Sequence, residues 1–157
     1  MEKKTLYIGV GIAAALLLFT KKSGAKGFSN PVEGSHKISS GFGMRVHPVT
    51  GVQKFHNGVD IPVPLNTKIL APADGVVEKV YWTDLAGNQI VIKHNNGYKT
   101  GYAHLTSSAV AVGDKVKKGK VIAYSGNTGT STTGAHLHFT LTNPAGEKID
   151  PQSIFTF

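Results

Sequence analysis

Gly87-Asn88-Gln89-Ile90-Val91-Ile92-Lys93-His94-Asn95-Asn96-Gly97-Tyr98-Lys99-Thr100-Gly101-Tyr102-Ala103-His104-Leu105 is the stretch that decides the fold. Two short runs rich in β-branched and aromatic residues, 89–94 and 98–105, are divided by Asn95-Asn96-Gly97. Asn-Gly favours a hairpin turn because both residues tolerate positive φ. Toward the N-terminus, Lys68-Ile69-Leu70-Ala71-Pro72 precedes Asp74-Gly75, and an apolar run follows over 76–82. Toward the C-terminus, Val110-Ala111-Val112 leads into Gly113-Asp114, Lys115-Val116 into Lys118-Gly119, and then comes 121–125. The last strand spans 135–142 and closes on Asn143-Pro144-Ala145-Gly146. This spacing predicts an all-β domain of mainly antiparallel sheet over residues 31–157. The chain of 157 residues, 40% hydrophobic and 17% charged, is long enough for one such domain with a core.

Residues 1–22 form a separate unit. A short basic start precedes an uncharged apolar run over 6–19, and Lys21-Lys22 closes it. As a helix, residues 5–20 would span about 24 Å, short of a hydrocarbon core of about 30 Å. Flanking lysines can snorkel and the bilayer can thin, so one hydrophobic helix serving as a membrane anchor is the expectation. A cleaved signal peptide ending near Ser23-Gly24-Ala25 is the alternative. Residues 23–30 are expected to form a flexible tether.

Net charge is +8, and the N-terminal unit with its tether supplies half of it. The remaining bias suits an anionic partner such as a cell wall or a phospholipid surface. The lysines are scattered and no basic helix occurs, which argues against a nucleic-acid partner. Lys115, Lys117, Lys118 and Lys120 read as the solvated face of a hairpin. Cysteine is absent, so any metal site is built from histidine and carboxylate.

Such groups converge in two places. Phe55-His56-Asn57-Gly58-Val59-Asp60 offers an imidazole and a carboxylate four positions apart, where a turn enters a strand. His136-Leu137-His138 offers two imidazoles two apart, which in a strand share one face while Leu137 faces the core. His104 ends a strand-like run, and His36 and His94 receive no role. The groups of the two clusters are sufficient for a catalytic zinc site, with one histidine to spare.

Two resemblances follow. Gly113-Asp114-Lys115-Val116-Lys117-Lys118-Gly119-Lys120-Val121-Ile122, with residues 71–77, is similar to the barrel-sandwich of biotinyl and lipoyl carriers, yet no modifiable lysine stands on a hairpin tip in their usual context. Residues 38–151 as a whole resemble the lysostaphin/LytM-type zinc metalloendopeptidases that cut peptidoglycan. The matching pieces, in order, are Ser40-Gly41-Phe42-Gly43-Met44-Arg45-Val46-His47-Pro48, the His56–Asp60 segment, Tyr102-Ala103-His104-Leu105 and Gly134-Ala135-His136-Leu137-His138-Phe139.

This second resemblance implies a barrel-sandwich-like fold and one zinc ion per chain held by His56, Asp60 and His138. It implies His104 and His136 as catalytic histidines beside the metal, with base and oxyanion roles open between them. Arg45, His47 and Asn57 are candidates to line the substrate groove. The implied reaction is hydrolysis of peptide bonds in peptidoglycan stem peptides or cross-bridges. The loop Thr130-Ser131-Thr132-Thr133-Gly134 is one residue longer than the family's usual approach, and Ala135 stands where proline is common. Both departures bear on specificity. A non-catalytic relative that binds wall or activates an amidase is the alternative function. The enzyme is expected at a bacterial membrane facing the wall; a virus-particle membrane and secretion are the other locations.

Overall fold

His136-Leu137-His138-Phe139-Thr140-Leu141-Thr142 alternates strictly, and the structure, a computed structural model describing residues 27–47 and 49–157, is built around it. Leu137, Phe139 and Leu141 are fully buried while His136, His138 and Thr142 stay partly open. Burying such apolar side chains stabilises by roughly 1.5–3 kcal/mol each, and a slip of one residue would exchange them for the imidazoles.

The strands are β1 (Gly43–Val46), β2 (Gln53–His56), β3 (Val59–Pro62), β4 (Lys68–Leu70), β5 (Gly75–Thr83), β6 (Gly87–His94), β7 (Lys99–Leu105), β8 (Ser107–Ser108), β9 (Lys115–Val116), β10 (Val121–Tyr124), β11 (His136–Thr142) and β12 (Lys148–Ile149). A 3-10 turn at Pro151–Ser153 follows, capped by Asp150. Every pairing is antiparallel. The large sheet runs β12-β11-β7-β6-β5-β9, with β3 also paired to β11; β4-β10-β8 and β1-β2 form smaller sheets. One core joins Ile69 and Ile122 of the small sheet to Ile90, Ile92, Leu137 and Phe139 of the large one. The fold is thus all-β, with no α-helix among the described residues. No described helix is long and apolar enough to cross a membrane. The expected anchor helix, residues 1–22, lies outside the described residues.

The β6–β7 hairpin forms where expected, with a different turn. Only Gly97 has positive φ, at 84°. Gly97 N donates to His94 O at 3.0 Å and His94 N to Tyr98 O at 2.8 Å. Asn96 keeps negative φ and its Oδ1 accepts from Tyr98 N at 3.1 Å. This is a three-residue connection of the bulged type, so glycine alone supplies the left-handed residue.

Three other expectations are corrected. Val110-Ala111-Val112 is not a strand. Its backbone is diverted by Ser108 Oγ, which accepts from Val110 N at 3.2 Å, and by Asp114 Oδ2, which accepts from Ala111 N at 2.9 Å. Lys115, Lys117, Lys118 and Lys120 do not face a hairpin, because β9 pairs with β5 while β10 pairs with β4 and β8. They mark the crossing between sheets, where Asp74 takes Lys117 Nζ at 3.1 Å and Lys118 N at 2.9 Å. Within the expected tether, Phe28, Ser29 and Asn30 are packed. Phe28 meets His94 edge-on at 5.3 Å and Phe155 at 5.4 Å, and Ser29 N donates to Pro72 O at 2.8 Å.

Candidate metal centre

β11 lies between β3 and β7, and this brings distant residues to one point. His138 is the register partner of Asp60 on one side and of Ala103 on the other. Directly opposed residues share a face, so the Asp60 carboxylate meets the His138 ring. Ser39 and Ser40 bind the outer edge of β3: Asp60 N donates to Ser40 O at 2.9 Å, and Asp60 O accepts from Ser39 N at 3.0 Å. His56, at the end of β2, completes the set. His56 Nε2, Asp60 Oδ1 and His138 Nδ1 are separated by 3.1, 3.2 and 2.9 Å.

The hydrogen bonds behind these rings fix which nitrogen faces inward. His56 Nδ1–H donates to Gly41 O at 2.7 Å, and His138 Nε2–H to Asn57 Oδ1 at 3.1 Å. In the neutral rings the inward nitrogens therefore carry the lone pairs. Asp60 is held well below the ordinary carboxylate range; burial alone would raise it, but the hydrogen bonds and charges of His138 and His56 outweigh that. With the rings neutral, three lone pairs converge on one point, an arrangement that a small cation satisfies in place of the ring protons that would otherwise bind Asp60. Ligands at about 2.0 Å from a tetrahedral centre stand about 3.3 Å apart, so the observed spacing fits a small metal ion. Among the described residues His56, Asp60 and His138 form the group able to hold one.

Two further imidazoles stand beside this triad. His136 shares the face of His138 along β11, and its Nδ1–H donates to Gly134 O at 2.7 Å. Simple alternation in β7 would send His104 to the core face with Tyr102. Instead, Asn88 pairs with Leu105 and Ile90 with Tyr102, so Ala103 and His104 together oppose Gln89. His104 takes φ of 60°, rare for a non-glycine residue, and the bulge re-aims its ring into the site. There it lies 4.7 Å from the His136 ring, and its Nδ1–H donates to Thr128 O at 2.7 Å. Burial holds His104 below the ordinary histidine value despite the Thr128 bond, and the nearby His136 and His138 charges act in the same direction as burial. Burial likewise lowers His138, against the pull of Asp60.

The surrounding groove has a volume of about 390 Å³. Its lining includes Arg45, Lys54 and Phe55 from the β1–β2 hairpin, Tyr81 and Leu85 from the β5–β6 end, and Lys148 from β12. Arg45 reaches Asp60 Oδ2 at 3.7 Å. His47 lines the groove, as expected, and is also a brace: its Nδ1 accepts from Val49 N and Thr50 N, both at 3.3 Å, and its Nε2–H donates to Ser131 Oγ at 3.1 Å. That bond ties the β1–β2 hairpin to the long 130–134 loop. The loop is also held by Thr130 N to Asp84 O at 2.8 Å and Ser131 N to Leu85 O at 2.9 Å. Asn57, expected to line the groove, does so and also fixes the His138 tautomer. His36 is remote, bound to Glu33 O at 2.7 Å. The sequence reading missed Thr128 and Gly134, whose contribution is main-chain carbonyl and independent of side-chain identity.

An all-β scaffold that delivers two imidazoles and a carboxylate to one point, with two more imidazoles alongside, has the layout of a metallopeptidase. The sequence profile described as peptidase family M23 matches residues 54–151, and the chain belongs to that family. Family M23 is zinc-dependent. An uncharacterized metalloprotease of Haemophilus influenzae is 45% identical over 132 residues, covering 82% of this chain and 27% of that protein. The peptidoglycan DD-endopeptidase ShyC of Vibrio cholerae is 45% identical over 104 residues, covering 66% of this chain and 24% of that protein. A crystal structure described as a zinc containing peptidase from Vibrio cholerae aligns with a TM-score of 0.73 at 38% identity, covering 84% of this chain and 40% of the other. The chain spans about a quarter of the length of these curated relatives.

Proposed function

We propose that residues 31–157 are a zinc-dependent endopeptidase that hydrolyses peptide bonds in peptidoglycan stem peptides or cross-bridges. The observation that carries this reading is the convergence of three potential ligand atoms, His56 Nε2, Asp60 Oδ1 and His138 Nδ1, at 2.9–3.2 Å on the floor of an open groove. Similarity to a peptidoglycan DD-endopeptidase supports the substrate class. So does the groove's charge: Arg45, Lys54 and Lys148 line it, with Asp60 as the acid among them.

Zinc held by His56, Asp60 and His138 would supply a Lewis acid that polarises the scissile carbonyl and makes water a nucleophile near neutral pH. The two remaining imidazoles manage the protons. With Nδ1–H bound to a main-chain carbonyl, each of His104 and His136 presents Nε2 to the groove. One accepts the proton of the attacking water and passes it to the leaving amine. The other, as imidazolium, donates a hydrogen bond to the oxyanion of the tetrahedral intermediate. Arg45 and Asn57 position Asp60 and His138.

The reading extends to the N-terminal unit, on sequence alone. The uncharged apolar run at 6–19 between lysines supports a single membrane anchor, and the wall substrate of the proposed reaction, not the lysine balance, is the reason to set the domain on the wall side.

The test measures metal content and lysis of isolated walls on the same purified protein. About one zinc per chain, with lysis abolished by chelator and restored by zinc, is the expected result. Zinc without lysis of walls of several chemotypes would favour a binding role, and absence of zinc would overturn the metal site.

A further inference from the structure

The groove runs on beyond the metal triad. Thr140 follows His138 on the same face of β11, about 7 Å further along. The floor is low here. Gly101 is the register partner of Thr140, and a Cβ on it would strike Thr140 Oγ1, while a Cβ on Gly58 would meet Thr140 Cγ2 at 2.9 Å. The room beside the Thr140 hydroxyl therefore depends on glycine.

Lys148 leans over this spot from β12, and its Nζ donates to Thr140 Oγ1 at 3.1 Å. Of the cations around it, Arg45 has Asp60 and Lys99 has Glu78 at 2.8 Å, while Lys54 of the β1–β2 hairpin makes no ion pair among the described residues. Lys148 likewise makes no ion pair among the described residues. Although the side chain as a whole is exposed, burial of its ammonium end lowers its pKa, and the charge of Lys99 adds to that. Thr140 is itself 8% exposed, and its oxygen already accepts from Lys148, so its own proton is left to donate. An ammonium and a hydroxyl proton thus address the same small space, and a carboxylate would accept from both.

We infer that Lys148 and Thr140 form a recognition site for a substrate carboxylate close to the scissile amide. The preferred substrate is a peptide cross-link with a free carboxylate about one residue from the cleaved bond. This rests on the endopeptidase reading and narrows it to anionic peptides. Lys148 is a specificity-determining residue, outside the metal and proton-transfer machinery.

The experiment compares two peptides identical except that the group beside the cleaved amide is a carboxylate in one and a carboxamide in the other. With zinc-loaded wild type, kcat/KM is expected to favour the carboxylate by about tenfold, chiefly through KM. Lys148→Met should bring the carboxylate peptide down to the carboxamide level and leave carboxamide cleavage and zinc content unchanged. Lys148→Arg should recover part of the preference. A preference that survives Lys148→Met, or an equal loss on both peptides, overturns the inference. If wild type cuts neither peptide, the endopeptidase reading fails, and calorimetric titration of the same pair decides carboxylate recognition. Tighter carboxylate binding that Lys148→Met abolishes then supports it, and equal binding overturns it.

Discussion

The buried His94 and the site's His104 sit on the same pair of strands, β6 and β7, and differ in how their hydrogen bonds end. At one end of the hairpin Tyr102 OH donates to Thr100 Oγ1 at 2.7 Å, Thr100 to His94 Nε2 at 2.8 Å, and His94 Nδ1–H to Asp74 O at 3.1 Å. The chain closes on itself. Near the other end, His104 also spends its Nδ1–H on a carbonyl, but its second nitrogen points into a groove shared with four other imidazoles and a carboxylate. Both are buried, at 2% and 5% exposure, and burial lowers the pKa of both. Burial therefore does not separate a structural histidine from a functional one; the unspent lone pair does.

The comparison is broken most severely at the triad. Asp60→Ala or His138→Ala should abolish zinc binding and wall lysis together, while His94→Leu should leave both intact; metal analysis beside turbidity assays reads the contrast. Zinc loss in His94→Leu would mean that the two clusters are one unit.

A sharper cut comes at His104. His104→Ala should keep zinc and lower kcat by about 10²–10⁴, the usual worth of a positioned proton-transfer group. His104→Gly should lose as much activity and yet unfold with about 1 kcal/mol more stability than His104→Ala, because its φ of 60° suits glycine. Thermal melts of the two variants check this. Loss of zinc in His104→Ala would place that residue among the ligands.

The smallest effect concerns acid. The folded-state pKa of His94 lies below its ordinary 6.5, so the unfolded chain binds more protons near that pH. The stability tied to neutral His94 is present above 6.5 and is lost as pH falls toward the folded value. In zinc-free protein, denaturant midpoints should fall on acidification from 7 to 5, and His94→Leu should flatten that slope while costing about 1–3 kcal/mol at neutral pH. An unchanged slope would remove His94 as a contributor.

Much of this was legible in the sequence wherever side-chain pattern governs. The alternation in 136–142 assigned the faces of β11, and the turn residues set off most of the longer strands. Where the backbone governs, it was not. The bulge that turns His104 into the site is a two-against-one pairing with Gln89, and neither residue type announces it. The Val110-Ala111-Val112 run reads as a strand until the Ser108 and Asp114 side chains claim its amides. The carbonyls that orient His56, His104 and His136 belong to Gly41, Thr128 and Gly134, and any residue type would offer the same group. Lys148 drew no reading from the sequence, because its contact with Thr140 arises only when β12 folds back on β11.

The donors come from β2, β3 and β11, about eighty residues apart along the chain. No shorter stretch holds the set, and His138 meets Asp60 only once β11 has slotted in beside β3. A nascent or misregistered chain, in which β11 has not paired with β3, therefore carries no assembled site. The proposed hydrolytic capacity would then be all-or-none, arriving with the finished sheet and withdrawn when that sheet opens.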